Sequence, residues 1–161
     1  MAARGTRATR ELTRLGIAHF VHPYQHKAGE GSYGEEAAAA MGVPAGRVFK
    51  TLVASVDGSL VVAIVPVTAQ LSLKALADAL GGKRAEIAHA AAAERATGYV
   101  TGGISPIAQR RRLPMVIDQT AVDWPTVFCS AGQRGLEVEL APADLITVTG
   151  ARPAPIARHG T

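Results

Sequence analysis

Apolar, β-prone positions are densest between residues 48 and 65. Val48 to Val56 and Leu60 to Val65 are two β-rich runs joined at Asp57-Gly58, a dipeptide that suits a tight hairpin turn. Elsewhere the apolar residues recur three and four apart. Ser72 to Leu80 follows that helical spacing, with Ser72 placed as a cap and Gly81-Gly82 as a stop. Helices are also predicted over Thr6–Leu15 (cap Thr6 or Thr9, stop Gly16), over the alanine-rich Glu35–Met41, and over His89–Ala96. Pro142–Ile146 predicts a single helical turn. Short strands are predicted at Ile17–Val21, Met115–Asp118, Thr126–Ser130 and Leu136–Leu140, and Gly98–Pro106 as a strand that passes into a glycine loop. The turn-rich stretch from His22 to Gly34 reads as a functional or mobile loop. Strands and helices intersperse, yet the hairpin signals point to a mixed or antiparallel sheet and not to repeated βαβ units. The expectation is one α/β (α+β) domain over residues 1–161, with neither repeats nor a long linker.

Composition narrows the function classes. Of the 161 residues 48% are hydrophobic and 19% charged, enough to bury a core without disulfide or metal staples. Cys129 is the sole cysteine, so there is no intrachain disulfide and no cysteine cluster for zinc, and a reducing, cytoplasmic setting is expected. No apolar run approaches the roughly 18 residues that span a bilayer, and no apolar stretch follows the basic N-terminus as in a secretory signal. Aromatic residues make up 4%, too few for a single-strand binder built on stacked bases. The net charge of +4 permits a polyanionic partner without requiring one.

Lys50 is the first candidate for chemistry. In a strand it shares a row with Val48, Leu52, Ala54 and Val56, all apolar. A lysine there either meets a ligand or a charge partner, or guards an edge and snorkels to water. Thr101-Gly102-Gly103-Ile104-Ser105-Pro106 removes side chains where backbone N–H groups could approach a ligand, though it matches no dinucleotide or P-loop fingerprint and reads equally as an ordinary turn. Gln109-Arg110-Arg111-Arg112 suits phosphates or solvent. His19, His22 and His26 lack nearby carboxylates until Glu30 and read as surface or packing residues, not metal ligands. Cys129 has no nucleophile motif around it, no G-x-S-x-G elbow is present, and Glu137 and Glu139 share one strand face as a carboxylate pair or an exposed polar row.

Taken in order, these segments form a larger pattern: His22-Pro23-Tyr24, Gly31-Ser32-Tyr33-Gly34-Glu35-Glu36, Val48-Phe49-Lys50-Thr51-Leu52, the run Thr97 to Pro106, Arg112-Leu113-Pro114, and Ser130 to Glu137. The pattern resembles the YbaK-type aminoacyl-tRNA deacylases, relatives of the editing domain of bacterial prolyl-tRNA synthetase, from about residue 6 to the end. The resemblance implies a mixed, mostly antiparallel, barrel-like sheet surrounded by helices. It implies release of cysteine from tRNA(Pro), and also from tRNA(Cys), without a cofactor or metal. Its partners would be the 3′ end of an aminoacyl-tRNA and prolyl-tRNA synthetase, with no role for membranes or DNA. Lys50 matches the lysine essential for activity. Tyr24, Tyr33 and Thr51 match positions lining the aminoacyl-adenosine pocket; Gly102, Gly103 and Ile104 match the loop near the ester; Ser130 and Glu137 match polar positions near the lysine. Tyr33 stands where phenylalanine also occurs, and Glu137 where aspartate does, which alters reach at both places. The alternatives are a deacylase of the same fold for Ala-tRNA(Pro) or another small residue, and a non-catalytic tRNA-binding module.

Overall fold

The computed structural model describes residues 5–25 and 33–159, Tyr33 by its backbone alone. Its centre is the hairpin the sequence predicts. Strands β2 (Phe49–Val56) and β3 (Ser59–Pro66) pair in antiparallel register from Phe49↔Pro66 to Val56↔Ser59. Asp57 and Gly58 both take positive φ (49° and 87°), the geometry that matches a tight turn to the twist of its strands. Every residue from Val61 to Pro66 is buried, because β3 is covered on both faces. Val62 and Ile64 enter a large core with Leu12, Phe49, Ile117, Val127, Val138 and Leu145; Val61, Ala63 and Val65 enter a second with Leu76, Val116 and Ile156.

Around this hairpin lies a five-stranded sheet in the order β5–β2–β3–β6–β9, where β5 is Ala85–Ile87, β6 is Met115–Asp118 and β9 is Arg152–Ala154. β5 runs antiparallel to β2, whereas β6 and β9 run parallel to their neighbours. A second, antiparallel sheet has the order β1–β8–β7: Phe20–Pro23, Leu136–Leu140 and Val127–Gln133. A parallel bridge from Val48 to Phe128 joins the two sheets, so the strands curl towards a barrel without closing it by a full ladder. The short pair β4 (Gln70–Leu71) and β10 (Ala157–Arg158) stands apart. Helices α1 (Arg7–Arg14), α2 (Tyr33–Met41), α3 (Leu73–Ala79), α4 (Ala90–Thr97) and α5 (Pro142–Thr149) complete the mixed α/β fold. Thr6 and Thr9 exchange hydrogen bonds as a capping box on α1, and Ser72 caps α3.

Several expectations shift. The strand predicted at Ile17–Val21 begins at Phe20 because its register is set by β8. Gly98–Pro106 forms no strand: Gly98, at φ +81°, closes α4, and Tyr99 turns inward to donate its hydroxyl to the Ile107 carbonyl at 2.7 Å. The single turn at Pro142 continues to Thr149 and stops at Gly150, whose φ is +72°. β4, β5, β9 and β10 carry two or three residues each, too short for a period to register.

Candidate active site

Between the two sheets lies a cavity of about 410 Å³. It exists because β5 pairs with β2 only over Ala54–Val56 and β7 meets the chain only at Val48, leaving the stretch between without a paired strand on that side. The Val67 N–H donates to the Val48 carbonyl at 2.8 Å, which fixes the phase of the ladder. Even-numbered residues of β2 therefore spend their peptide groups on β3, and the odd-numbered ones face the open edge. The Ala88 N–H donates to the Val53 carbonyl there at 3.0 Å, and Phe49 and Thr51 reach the cavity wall.

Lys50 is half-buried on this wall. Its row runs inward to Ala54 and Val56, both buried, so the ammonium stands at the rim of an apolar face. Among the described residues it forms no ion pair. Gly102 and Ile104 line the cavity together with Thr101, and Gly102 takes φ +88°, a left-handed conformation that requires glycine. Gly103 does a different job from the one its sequence suggests. It is buried behind the wall, its N–H donates to the Val100 carbonyl at 2.9 Å, and a Cβ on it would lie 2.8 Å from the Arg134 nitrogen. Its bare backbone lets the loop dock on the turn between β7 and β8.

Ser130 and Glu137 face each other across β7 and β8 and both line the cavity. The Ser130 hydroxyl accepts the Gly132 N–H at 3.1 Å. Glu137 is 6% exposed, and burial pushes its pKa up to about 8, so the carboxyl keeps its proton at neutral pH. Glu137 Oε1 and Thr51 Oγ1 are buried oxygens without a hydrogen-bond partner among the described residues. Such groups cost free energy in an empty site and are satisfied when a polar ligand enters.

Two predicted positions are not among the described lining residues. Tyr24 lies outside the cavity wall formed by the described residues; it is half-buried, and its N–H donates to the Gly135 carbonyl at 2.9 Å, tying the end of β1 to the β7–β8 turn. Tyr33 opens α2 beside the cavity-lining Gly34, and its side chain lies outside the described residues. The rest of the wall is apolar: Ile87 at the end of β5 and Ala88 after it, Ala90 and Ala93 of α4, Leu52 and Val53 of β2, and Val67 beyond β3. Sequence reasoning takes the alanines of α4 as ordinary helix formers. Their signal is the absence of any large apolar residue on a helix that has to cover a sheet edge.

The remaining candidates do other work. Cys129 is wholly buried, and burial, with Glu137 nearby, holds its thiol well above the usual range, where it is inert as a nucleophile. His22 meets Glu139 at 2.8 Å, Arg47 reaches the same carboxylate at 3.5 Å, and Arg47 lies over the rings of Trp124 and Phe128. Glu139 is thus the anchor of a polar cluster and not half of a catalytic pair with Glu137. His19 contacts the Ile17 carbonyl, and His26 lies outside the described residues. Among the described residues no group of three metal-ligating side chains gathers, and no helix is long and apolar enough to cross a membrane.

Comparison with known proteins decides what the cavity belongs to. The model of the aminoacyl-tRNA editing domain matches residues 30–148, which include every cavity-lining residue. The chain belongs to the aminoacyl-tRNA editing domain family. Membership makes it an enzyme of aminoacyl-tRNA deacylation. A relative from Enterococcus faecalis, provisionally named Cys-tRNA(Pro)/Cys-tRNA(Cys) deacylase EbsC, is 38% identical over 123 residues, covering 76% of this chain and 75% of its own. A structure provisionally described as a trans-editing enzyme for prolyl-tRNA synthetase superimposes with a TM-score of 0.81 at 22% identity, over 97% of this chain and 99% of that one. The hypothetical protein APE2540 superimposes with a TM-score of 0.84 at 22% identity, over 95% and 100%. At such identities the two structures speak for the editing-domain fold alone.

Proposed function

We propose that this protein is a trans-editing deacylase that removes mischarged cysteine from tRNA(Pro), and also from tRNA(Cys), with the terminal aminoacyl-adenosine seated against Lys50. The observation that carries the reading is the meeting, in one cavity, of a half-buried lysine, a left-handed glycine turn and two buried oxygens without partners among the described residues. The EbsC relative supports the choice of cysteine by its name. The need for such an enzyme is physical. A synthetase pocket discriminates a side chain of nearly the right size by only about 1–3 kcal/mol, so errors pass and a second site must clear them.

An aminoacyl ester is activated and asks chiefly for positioning and charge stabilisation. The cysteine thiol of the substrate attacks its own carbonyl carbon. The C–S bond forms, the C–O3′ bond breaks, and the thiol proton passes to the departing ribose oxygen; water later opens the thiolactone. Lys50 orients the terminal ribose or phosphate and stabilises the negative charge that develops, while the Gly102 backbone holds the carbonyl. Protonated Glu137 offers a donor to the substrate where a carboxylate would repel the developing oxyanion. Prolyl-tRNA synthetase docks beside the domain and supplies tRNA identity, which so few aromatic residues are poorly suited to read.

A panel of Cys-, Ala- and Ser-charged tRNA(Pro), with and without the synthetase, tests this. Cysteine should be released fastest, and serine, which lacks the thiol, much more slowly. Equal rates for cysteine and serine would point to an external water, and fastest release of alanine would overturn the choice of substrate.

A further inference from the structure

We infer that Arg7 and Arg110 form a phosphate cradle for the single-stranded 3′ end of the tRNA substrate, beside the cavity mouth. The inference rests on the deacylase reading above and adds to it the residues that grip the nucleic acid.

Gly98 closes α4 in the left-handed conformation. A Cβ at that position would collide with Arg7 Nη1 and lie 3.6 Å from Arg110 Nε. Two guanidinium groups from distant parts of the chain thus converge over one bare backbone atom. Like charges so close repel, and among the described residues neither has a carboxylate partner. Other contacts fix them in place. Arg7 donates from Nη2 to the Ala108 carbonyl at 2.7 Å and lies 5.5 Å from the centre of the Tyr99 ring, which is itself anchored to Ile107. The Arg110 N–H donates to the Thr97 carbonyl at 2.9 Å, and its side chain is exposed. Arg7 is held by backbone and aromatic contacts, Arg110 is anchored by its backbone, and the shared positive charge suits an anionic third group.

The cradle and the cavity share one loop. Gly98 and Thr101 belong to one loop, three residues or at most about 10 Å of chain apart, and Thr101 lines the cavity. Arg134 donates from Nε to the Thr101 carbonyl at 2.8 Å, adding positive charge at the rim. Glu94 is the neighbouring carboxylate, but it accepts the Thr101 N–H at 2.8 Å and faces Arg134. The basic run Gln109–Arg112 thereby finds its use: its first arginine joins α1 in a site, while Arg111 and Arg112 stay exposed.

Binding of uncharged RNA tests the cradle apart from catalysis. The probes are a tRNA(Pro) acceptor microhelix with its single-stranded CCA end and the same duplex trimmed blunt, titrated by fluorescence anisotropy over a salt series. Arg110→Ala should bind the CCA-bearing microhelix about tenfold more weakly and with a salt slope shallower by about 0.7–1. The blunt duplex should not distinguish it from wild type. Arg152→Ala, on the far edge of the five-stranded sheet, is the control and should bind like wild type. Equal affinity of Arg110→Ala and wild type for the CCA-bearing probe would overturn the cradle, as would an equal loss on both probes. Failure of wild type to deacylate any charged tRNA(Pro) would instead overturn the functional reading, and is scored separately.

Discussion

Glu137 and Ser130 share a cross-strand pair at the cavity, and the glutamate carries its burial without any charge partner to offset it. Its pKa of about 8 in the folded protein stands well above the ordinary carboxyl value of 4.5. The folded chain therefore holds a proton that the unfolded chain gives up above that ordinary value. The resulting stability is fully present below pH 4.5 and is lost as pH rises through 8, at up to about 1.4 kcal/mol per pH unit. Denaturant midpoints at pH 5, 6.5 and 8 should fall along that series, and Glu137→Gln should flatten the fall by a few kcal/mol at pH 8. An identical decline in both proteins would show that the proton sits elsewhere. None of this is legible in the residue itself. Glu137 and Glu139 look alike in sequence, two residues apart on one strand face. Thr126, His22 and Arg47 hold Glu139 in a polar cluster, while Glu137 meets a cavity, and only tertiary contacts tell the two apart.

Among the elements, the β2–β3 hairpin is readable because its turn and its two β-prone runs agree, and α3 because its cap and stop do. The alternation along β2 likewise singles out Lys50, since a charge on an apolar row is a local conflict. The cavity wall is harder to foresee. It is made where β5 stops pairing with β2, and β5 is three residues long. The C-terminal strands escape notice for a related reason: a side chain holds them. Asp118 is 2% exposed; its Oδ1 accepts the Ile156 and Ala157 N–H groups at 3.0 and 2.8 Å, and its Oδ2 takes the Thr120 hydroxyl at 2.6 Å. Asp118→Ala would orphan these donors and should cost about 2–4 kcal/mol, measured by chemical denaturation. A loss under about 0.5 kcal/mol would mean that water replaces the carboxylate. In the loop, Gly103→Ala should lift the diglycine bend from the β7–β8 turn, destabilise by about 1–3 kcal/mol and raise the KM for charged tRNA. Unchanged KM and stability would show that the loop tolerates the displacement.

Over the whole molecule, two sheets meet at a single bridge and diverge beyond it, and the divergence leaves room for a ligand. The sequence conveys the mixed sheet and its helices through element types, and the family through ordered motifs. It does not convey that the Tyr24 backbone ties β1 to the β7–β8 turn, because that depends on where the turn comes to rest. Among the described residues the cavity at Lys50 has a basic margin but no broad aromatic or basic surface with which to read a tRNA body. Adding prolyl-tRNA synthetase should therefore lower the KM for Cys-tRNA(Pro) severalfold and leave Cys-tRNA(Cys) unaffected. An equal effect on both tRNAs would argue against docking on that synthetase.

The most direct test of the account is single-turnover deacylation of Cys-tRNA(Pro) by Lys50→Ala, beside a thermal melt of the same protein. The account predicts a loss of at least about 10²-fold in rate with a melting temperature close to wild type, and no rescue by Lys50→Arg, whose planar head cannot replace a point charge. Near-normal release of cysteine by a folded Lys50→Ala protein would contradict it.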